Sequence, residues 1–268
     1  MKKFILIESL FVLTLVSCFN GEFVTSSNSI SVNDETNYIS FLGDSISTYD
    51  DYSNNPIYNE TIKNNVKWYP NTNYKGADLD VKDTWWYKVS EELDYEICVN
   101  NSWSGSCVKD EQTYDKRAKN LHNNDNKNPD IIVVLMGVND YANGTSIGSY
   151  DGNGEVTNIN SFSDAYGKMI INMKESYPES EIFCSTFLPD RKRFNSNTNS
   201  KGIKEDDYND VIRTLSKNLD VHLIDLYLKS GINSQNIGDY TVDKLHPNAM
   251  GMNLISEMVI SSINKALF

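Results

Sequence analysis

The sequence predicts an α/β domain built around a doubly wound, mostly parallel sheet of five strands flanked by helices. Two observations lead to this prediction. Short apolar runs alternate along the chain with amphipathic helical patterns, and this alternation is typical of crossover connections between parallel strands. The clearest apolar run is also apolar at every position, as expected of a strand that is buried on both faces of a parallel sheet.

Five apolar runs are the predicted strands. The first covers Tyr38–Leu42 and ends at Gly43, and the third, over 130–136, contains the uninterrupted sequence IIVVL. The other three are predicted over 94–99, 181–187 and 221–227. In a doubly wound sheet, ligands bind beyond the carboxyl ends of the strands, so the residues that follow each run are the first candidates for a functional site.

Four longer segments are predicted helices, over residues 84–93, 160–177, 205–218 and from Pro247 onwards. Asp83 is the expected N-cap of the first helix, since a side-chain oxygen at that position satisfies free backbone N–H groups. Pro247 is expected to be the first residue of the last helix, where proline is favoured. The last helix carries apolar residues at four-residue steps, which predicts one buried face formed by Ile255, Val259, Ile263 and Leu267.

Composition places the chain among acidic globular proteins. It has 268 residues, of which 39% are hydrophobic, and this is enough for one sizeable core. The 24 Lys and Arg residues stand against 37 Asp and Glu residues, so the formal net charge is -13. Since binding to nucleic acids depends on cationic groups that neutralise phosphates, no nucleic-acid partner is expected.

The N-terminus has the pattern of an export signal. The chain starts Met-Lys-Lys, residues 4–16 are largely apolar, and the run closes on a small residue before Cys18. This junction resembles the lipobox of bacterial lipoproteins, in which Cys18 would carry diacylglycerol. The predicted organisation is a signal peptide over 1–17, a flexible tether over 18–36 and a folded domain over 37–268, held at the membrane outside the cytoplasm. Secretion without a lipid, or anchoring by the apolar segment itself, is the alternative.

The other cysteines and the acidic segments do not predict a metal centre. Cys98, Cys107 and Cys184 are odd in number, so buried free thiols are favoured, and a bridge between Cys98 and Cys107 is the alternative. The sequence has no C-x-x-C pair, and Asp151–Glu155 lacks the glycine and glutamate positions of an EF-hand loop. We therefore expect no metal and no cofactor.

The chain has three histidines, and one of them lies in a setting typical of a general base. His246 stands in the loop before the last helix, and Asp243 lies three residues upstream, from where its carboxylate can orient the imidazole. His122 lies in a polar stretch and His222 in a predicted strand. His246 is therefore the candidate base.

The candidate nucleophile and its supporting groups come where strands end. Ser45 follows the first strand, Gly105 lies in the loop after the second, and Asn139 comes directly after the third. By itself Ser45 would fit a helix N-cap equally well. Together, a serine hydroxyl, a glycine N–H and an asparagine amide at one edge of a sheet indicate acyl transfer with an oxyanion hole. The neighbouring Asp44 and Asp140 are interpreted as turn or capping residues.

These residues also carry a resemblance to a known family. The sequence contains, in order, GDS at 43–45, SWSG ending at 105, GVND at 137–140 and DKLH at 243–246. These four blocks resemble those of the SGNH superfamily of GDSL hydrolases, and the resemblance spans roughly residues 37–268. It implies a flavodoxin-like sheet and hydrolysis of esters through an acyl-enzyme.

The resemblance assigns a role to each candidate residue. Ser45 would be the nucleophile, His246 the base and Asp243 the acid that orients it. The backbone N–H groups of Ser45 and Gly105 and the side chain of Asn139 would form the oxyanion hole.

The expected substrate is a short acyl ester, most simply an acetyl ester, of either a polysaccharide or a small molecule. Residues 49–80 are rich in Tyr, Trp and Asn, and Trp85, Trp86 and Trp103 lie near the four blocks in sequence. Flat aromatic rings and amides suit sugars, although Trp85 and Trp86 would also fit the core. The negative charge disfavours anionic lipid surfaces. A lipolytic esterase or lysophospholipase, and a glycan-binding surface lipoprotein with a vestigial site, are the other hypotheses.

Overall fold

The computed structural model describes residues 36–50 and 67–268. The predicted signal peptide, Cys18 and the tether up to residue 35 lie outside this part of the chain. So do residues 51–66 of the segment rich in Tyr, Trp and Asn at 49–80, called the aromatic segment below. Within the described residues, no helix has both the length and the apolar character that crossing a membrane requires.

Five strands form one sheet, and every neighbouring pair in it is parallel. They are β1 (Tyr38–Gly43), β2 (Glu96–Asn100), β3 (Ile131–Leu135), β4 (Glu181–Ser185) and β5 (His222–Ile224). Their order across the sheet is β2-β1-β3-β4-β5. This is the flavodoxin-like order, which reverses its winding between β1 and β3 and leaves a ligand crevice at their carboxyl ends. The predicted fold class is confirmed.

Strand β3 is the centre of the sheet. It pairs with β1 on one side and with β4 on the other, and all five of its residues are buried. Its uninterrupted apolar sequence is therefore the consequence of burial on both faces.

Seven α-helices are described: α1 (Trp85–Leu93), α2 (Val138–Asn143), α3 (Phe162–Ser176), α4 (Glu205–Asn218), α5 (Leu226–Lys229), α6 (Ile237–Tyr240) and α7 (Ala249–Leu267). Shorter turns are a 3-10 turn at Ser45–Ser47, another at Val81–Asp83 and a π-helical turn at Gln112–Arg117. Helices α1 and α7 pack against each other, and α3 packs against α4.

The four predicted helices are all present, but two of their starts were predicted wrongly. Asp83 closes a 3-10 turn, and the N-cap of α1 is Thr84. Helix α7 begins at Ala249 and not at Pro247, because the side chain of Asn248 accepts hydrogen bonds from the first free N–H groups of the helix. Pro247 instead forms an isolated antiparallel bridge with Thr241.

Cys98, Cys107 and Cys184 are free and buried, so the alternative of a Cys98–Cys107 bridge was wrong. Burial raises the pKa of Cys98 to about 11 and those of Cys107 and Cys184 to about 12. Thiols with such pKa values stay protonated at neutral pH and are poor nucleophiles.

Candidate active site

Ser45 lies immediately beyond the carboxyl end of β1, as the sequence predicted. Its position depends on Gly43, where a Cβ atom would lie 2.5 Å from Ser47 Oγ and 2.8 Å from Ser102 Oγ. Gly43 is thus required for close packing, because any larger residue would clash with these two serine side chains. Asp44 caps the 3-10 turn that follows, since its carboxylate accepts the N–H of Ile46 at 3.0 Å. The capping role predicted for Asp44 is confirmed.

Ser45, His246 and Asp243 are joined by hydrogen bonds. His246 Nε2 lies 3.0 Å from Ser45 Oγ, and His246 Nδ1 lies 2.8 Å from Asp243 Oδ2. All three side chains are almost fully buried. Because Asp243 accepts the proton on Nδ1, the other ring nitrogen is left as an acceptor that faces the serine hydroxyl. A serine beside such an acceptor can be deprotonated as it attacks a carbonyl carbon.

The carboxylate of Asp243 is the acceptor of four hydrogen bonds. The backbone N–H groups of Leu245 and His246 donate to Oδ1, and the imidazole of His246 and the ammonium of Lys192 donate to Oδ2. Burial by itself would raise the pKa of Asp243, but the hydrogen bond and charge of His246, together with Lys192, hold it well below its usual range. Asp243 is therefore an anion at every pH at which the protein is expected to work.

The imidazole of His246 is neutral at neutral pH. Burial lowers its pKa, and repulsion from Lys192 and Arg193 acts in the same direction, whereas the hydrogen bond and charge of Asp243 oppose them. The net shift is downward. A neutral ring is the form that can accept the serine proton.

Trp68 stacks on His246, with 3.7 Å between ring centroids and 12° between ring planes. Trp68 also stacks on Tyr74, and the hydroxyl of Tyr69 donates to the carbonyl of Pro247 at 2.6 Å. The described end of the aromatic segment, residues 67–80, thus supports the loop that carries His246. Its richness in aromatic residues was noted from the sequence, but its contact with the candidate base was not predicted.

The two further candidates for an oxyanion hole lie beside each other. Gly105 is in the turn after β2, with φ of +76°, and Asn139 is in the first turn of α2, directly after β3. The side-chain amide of Asn139 donates one hydrogen bond to the carbonyl of Ser106, at 3.1 Å. The turn that carries Gly105 is also bound to β1, since the N–H of Trp103 donates to the carbonyl of Gly43 at 3.1 Å.

The backbone N–H groups of Ser45 and Gly105 have no hydrogen-bond partner within residues 36–50 and 67–268. The second amide hydrogen of Asn139 is also left over after its bond to Ser106. Three donors at the ends of β1, β2 and β3 are therefore available to a negatively charged oxygen.

Arg117 is a buried support of these loops that the sequence did not reveal. Its guanidinium donates to the carbonyls of Gly43 and Asn101 and to the hydroxyls of Ser106 and Thr113, and its side chain is fully buried. Burial lowers its pKa to about 9. It joins the last residue of β1 to the chain beyond β2.

Asp140 has a different role from the turn or capping residue that was predicted. Its carboxylate accepts the backbone N–H groups of Val108 at 2.7 Å and Lys109 at 3.2 Å. It therefore binds the loop after β2 to helix α2, and burial raises its pKa to about 7.

Two of the three tryptophans near the sequence blocks, and the other two histidines, do not join the site. Trp85 and Trp86 are buried in the core, as the alternative interpretation held, whereas Trp103 is half-buried. His222 pairs with Glu181 at 2.9 Å on the edge strand, and His122 lies near Tyr177. Among the described residues, no group of three or more His, Cys, Asp or Glu side chains is placed to hold a metal ion.

Comparison with known proteins gives one family and several similar structures. The family model for GDSL-like lipase/acylhydrolase matches residues 37–263. Two proteins described as GDSL-like lipases each share 25% identity with this chain over 86% of its length. The one from Bacteroides ovatus is covered to 99% with a TM-score of 0.58, and the one from Bacteroides uniformis to 96% with a TM-score of 0.61.

A third structure is an active-site mutant of a family two carbohydrate esterase from Clostridium thermocellum. It shares 16% identity over 86% of this chain and 64% of its own, with a TM-score of 0.55. At this identity the likeness concerns the fold. A sequence comparison with curated proteins gives no significant match.

Proposed function

The chain belongs to the family of GDSL-like lipases and acylhydrolases and is a carboxylic ester hydrolase; on that premise we propose that it is a serine esterase whose catalytic residues are Ser45, His246 and Asp243. The observation that carries the proposal is the continuous hydrogen-bonded chain from Ser45 Oγ through the imidazole of His246 to Asp243. A nucleophile, a base and an orienting acid in this arrangement are what acyl transfer requires.

In the proposed reaction, Ser45 Oγ attacks the ester carbonyl carbon while His246 Nε2 takes the serine proton. The carbonyl oxygen becomes an anion and is stabilised by the N–H groups of Ser45 and Gly105 and the amide of Asn139. His246 then gives its proton to the departing alcohol, and an acyl ester of Ser45 remains. A water molecule, deprotonated by His246, attacks this ester and releases the carboxylic acid and free Ser45.

We further propose that the ester is a short acyl group, acetyl above all, on a carbohydrate. The structural neighbours include two carbohydrate esterases, from Clostridium thermocellum and Myceliophthora fergusii. Three half-buried aromatic residues near the site, Trp68, Tyr74 and Trp103, have surface left to meet a sugar. The net charge of -13 disfavours approach to an anionic lipid surface.

Hydrolysis of longer acyl chains is the competing proposal, because the family includes lipases. A glycan-binding protein with a vestigial site is less favoured, since the hydrogen bonds between Ser45, His246 and Asp243 are intact.

The test compares the wild-type protein with Ser45→Ala on acetyl, butyryl and long-chain esters and on acetylated polysaccharides. We expect acetate release from at least one polysaccharide, and a loss in Ser45→Ala of roughly 10⁴-fold or more in turnover, because the triad acts as a unit. The melting temperature of each preparation controls for folding. Near-native turnover in Ser45→Ala would refute the proposed mechanism, and a preference for long acyl chains would refute the proposed substrate.

The proposed location is outside the cytoplasm, with the protein held at the membrane by a lipid on Cys18. This rests on the sequence pattern before Cys18, and the domain boundaries at residues 17 and 36 rest on the same pattern.

A further inference from the structure

We infer that Arg193 is a positioning residue of the oxyanion hole, because it fixes the direction in which the side-chain amide of Asn139 points. This inference rests on the proposed function, since it concerns the same site. Arg193 Nη1 donates to Asn139 Oδ1 at 3.0 Å, and Nη2 donates to the backbone carbonyl of Val138 at 3.3 Å. Arg193 lies outside all four sequence blocks that indicated the site.

The direction of this amide decides whether Asn139 helps or hinders the reaction. A half-turn of the amide exchanges its carbonyl oxygen for its nitrogen at nearly the same place. With the nitrogen toward the reacting centre, Asn139 donates to the developing oxyanion. With the oxygen there, a lone pair would face a negative charge and raise the barrier.

The two neighbours of the amide select the same direction. The guanidinium of Arg193 has only donors, so it can bind the carbonyl oxygen of Asn139 but not its nitrogen. The carbonyl of Ser106 has only an acceptor, and it binds the nitrogen at 3.1 Å. In the flipped amide, donors would face donors and one carbonyl would face another, so both contacts would be lost together.

Arg193 is itself held by buried groups. Its Nε pairs with the carboxylate of Asp190, and that carboxylate also accepts the backbone N–H groups of Lys192 and Arg193 at 3.1 Å. Asp190 is fully buried, and its own N–H donates to the buried carboxylate of Glu205 at 2.7 Å. Arg193 is therefore anchored to the segment that follows β4 and, through it, to the first residue of α4, although its side chain is 30% exposed.

The ion pair with Asp190 would by itself suit a residue that only stabilises this turn. The bond to Asn139 Oδ1 allows a stabilising role to be distinguished from a positioning role. If Arg193 only stabilises the turn, its replacement should change turnover by the same factor whether or not Asn139 is present. Loss of Arg193 leaves the amide oriented by Ser106 alone. We expect roughly a tenfold drop in kcat with little change in KM, less than the 10²–10³-fold drop expected when the amide donor itself is removed.

The test is a double-mutant cycle in the full protein, with kcat, KM and melting temperature measured for Arg193→Met, Asn139→Ala and the double variant. The loss of turnover caused by Arg193→Met should disappear in the Asn139→Ala background. Arg191→Met is the matched control, since Arg191 lies in the same turn and pairs with Glu205 but makes no hydrogen bond to Asn139 among the described residues. Its effect on turnover should be the same in both backgrounds.

Arg193→Lys covers the case in which Arg193→Met folds poorly. A lysine keeps the charge next to Asp190 but cannot bind Asp190, Asn139 and Val138 at once, so the fold should persist while the Asn139-dependent loss of turnover remains. An equal loss of turnover with and without Asn139, or a lowered melting temperature with turnover intact, would overturn the inference. If Asn139→Ala keeps full turnover, the proposed oxyanion hole fails as well. If Asn139→Ala loses turnover and neither Arg193 variant does, only the present inference fails.

Discussion

Replacement of Lys192 by methionine should raise the pKa at which the activity is lost on acidification. Lys192 Nζ and His246 Nδ1 bind the same oxygen of Asp243, at 2.6 Å and 2.8 Å. When the imidazole takes up a proton, its charge lies beside the ammonium of Lys192 and is repelled by it. The ammonium also offsets part of the negative charge of Asp243 that would otherwise stabilise the imidazolium. Both effects favour the neutral ring, so removal of the ammonium should favour the protonated ring.

The size of this shift follows from the geometry. Because they share one acceptor, the two nitrogens are at most about 5.4 Å apart. At that separation two like charges repel by roughly 1 kcal/mol in water and several kcal/mol in a protein interior. The side chain of Lys192 is 33% exposed, so solvent screens the pair and the lower end of this range applies. We expect an upward shift of about 0.5 to 1 pKa unit in the acid limb of kcat/KM.

The assay is kcat/KM against pH for the wild-type protein, Lys192→Met and the control Lys244→Met. Lys244 is exposed and follows Asp243 in sequence, but it makes no ion pair among the described residues. Its replacement therefore removes one positive charge, as Lys192→Met does, without removing an ion pair with Asp243. Turnover on the alkaline plateau should change little in either variant. An unshifted or lowered acid limb in Lys192→Met, or an equal shift in Lys244→Met, would refute the electrostatic argument.

Three further outcomes are expected. Burial lowers the pKa of His246, and the base must be neutral to act, so kcat/KM of the wild-type protein should rise through an apparent pKa below the usual histidine value of about 6.5; an acid limb above that value would contradict this. Gly137→Ala should lower the free energy of unfolding in urea by roughly 2–4 kcal/mol, because φ there is +122° and a Cβ atom would lie 3.1 Å from Phe162. In a bacterial host, wild-type protein should partition into detergent and take up labelled fatty acid, whereas Cys18→Ala should do neither. A soluble wild-type protein with another N-terminus would rule out the lipid anchor.

The sequence predicted those parts of the molecule that local patterns determine. The five strands follow from apolar runs, and β3 was recognised because burial on both faces removes polar residues from its sequence. Ser45, Gly105 and Asn139 could be placed at one edge of the sheet, since the carboxyl ends of parallel strands lie at the same edge. The start of α7 was missed because the capping side chain of Asn248 outweighs the preference of Pro247 for a first helical turn.

The supporting residues of the site could not be predicted, because they act only through tertiary contacts. Lys192 lies 51 residues from Asp243, and Arg193 lies 54 residues from Asn139. No periodic pattern or turn signal marks a cation whose partner is that distant. The role of Arg117 was hidden for the same reason, since Gly43, which accepts one of its hydrogen bonds, lies 74 residues away.

The stacking of Trp68 on His246 gives the protein an optical reporter of its own base. An excited indole loses its emission by electron transfer to a nearby cation, and a protonated imidazole at 3.7 Å is such an acceptor, whereas a neutral imidazole is a poor one. The fluorescence of Trp68, taken as the difference between wild-type protein and Trp68→Phe, should therefore fall as His246 becomes protonated. Such a titration needs no substrate, so the protonation of His246 can be followed in the resting protein before any ester that it cleaves has been identified.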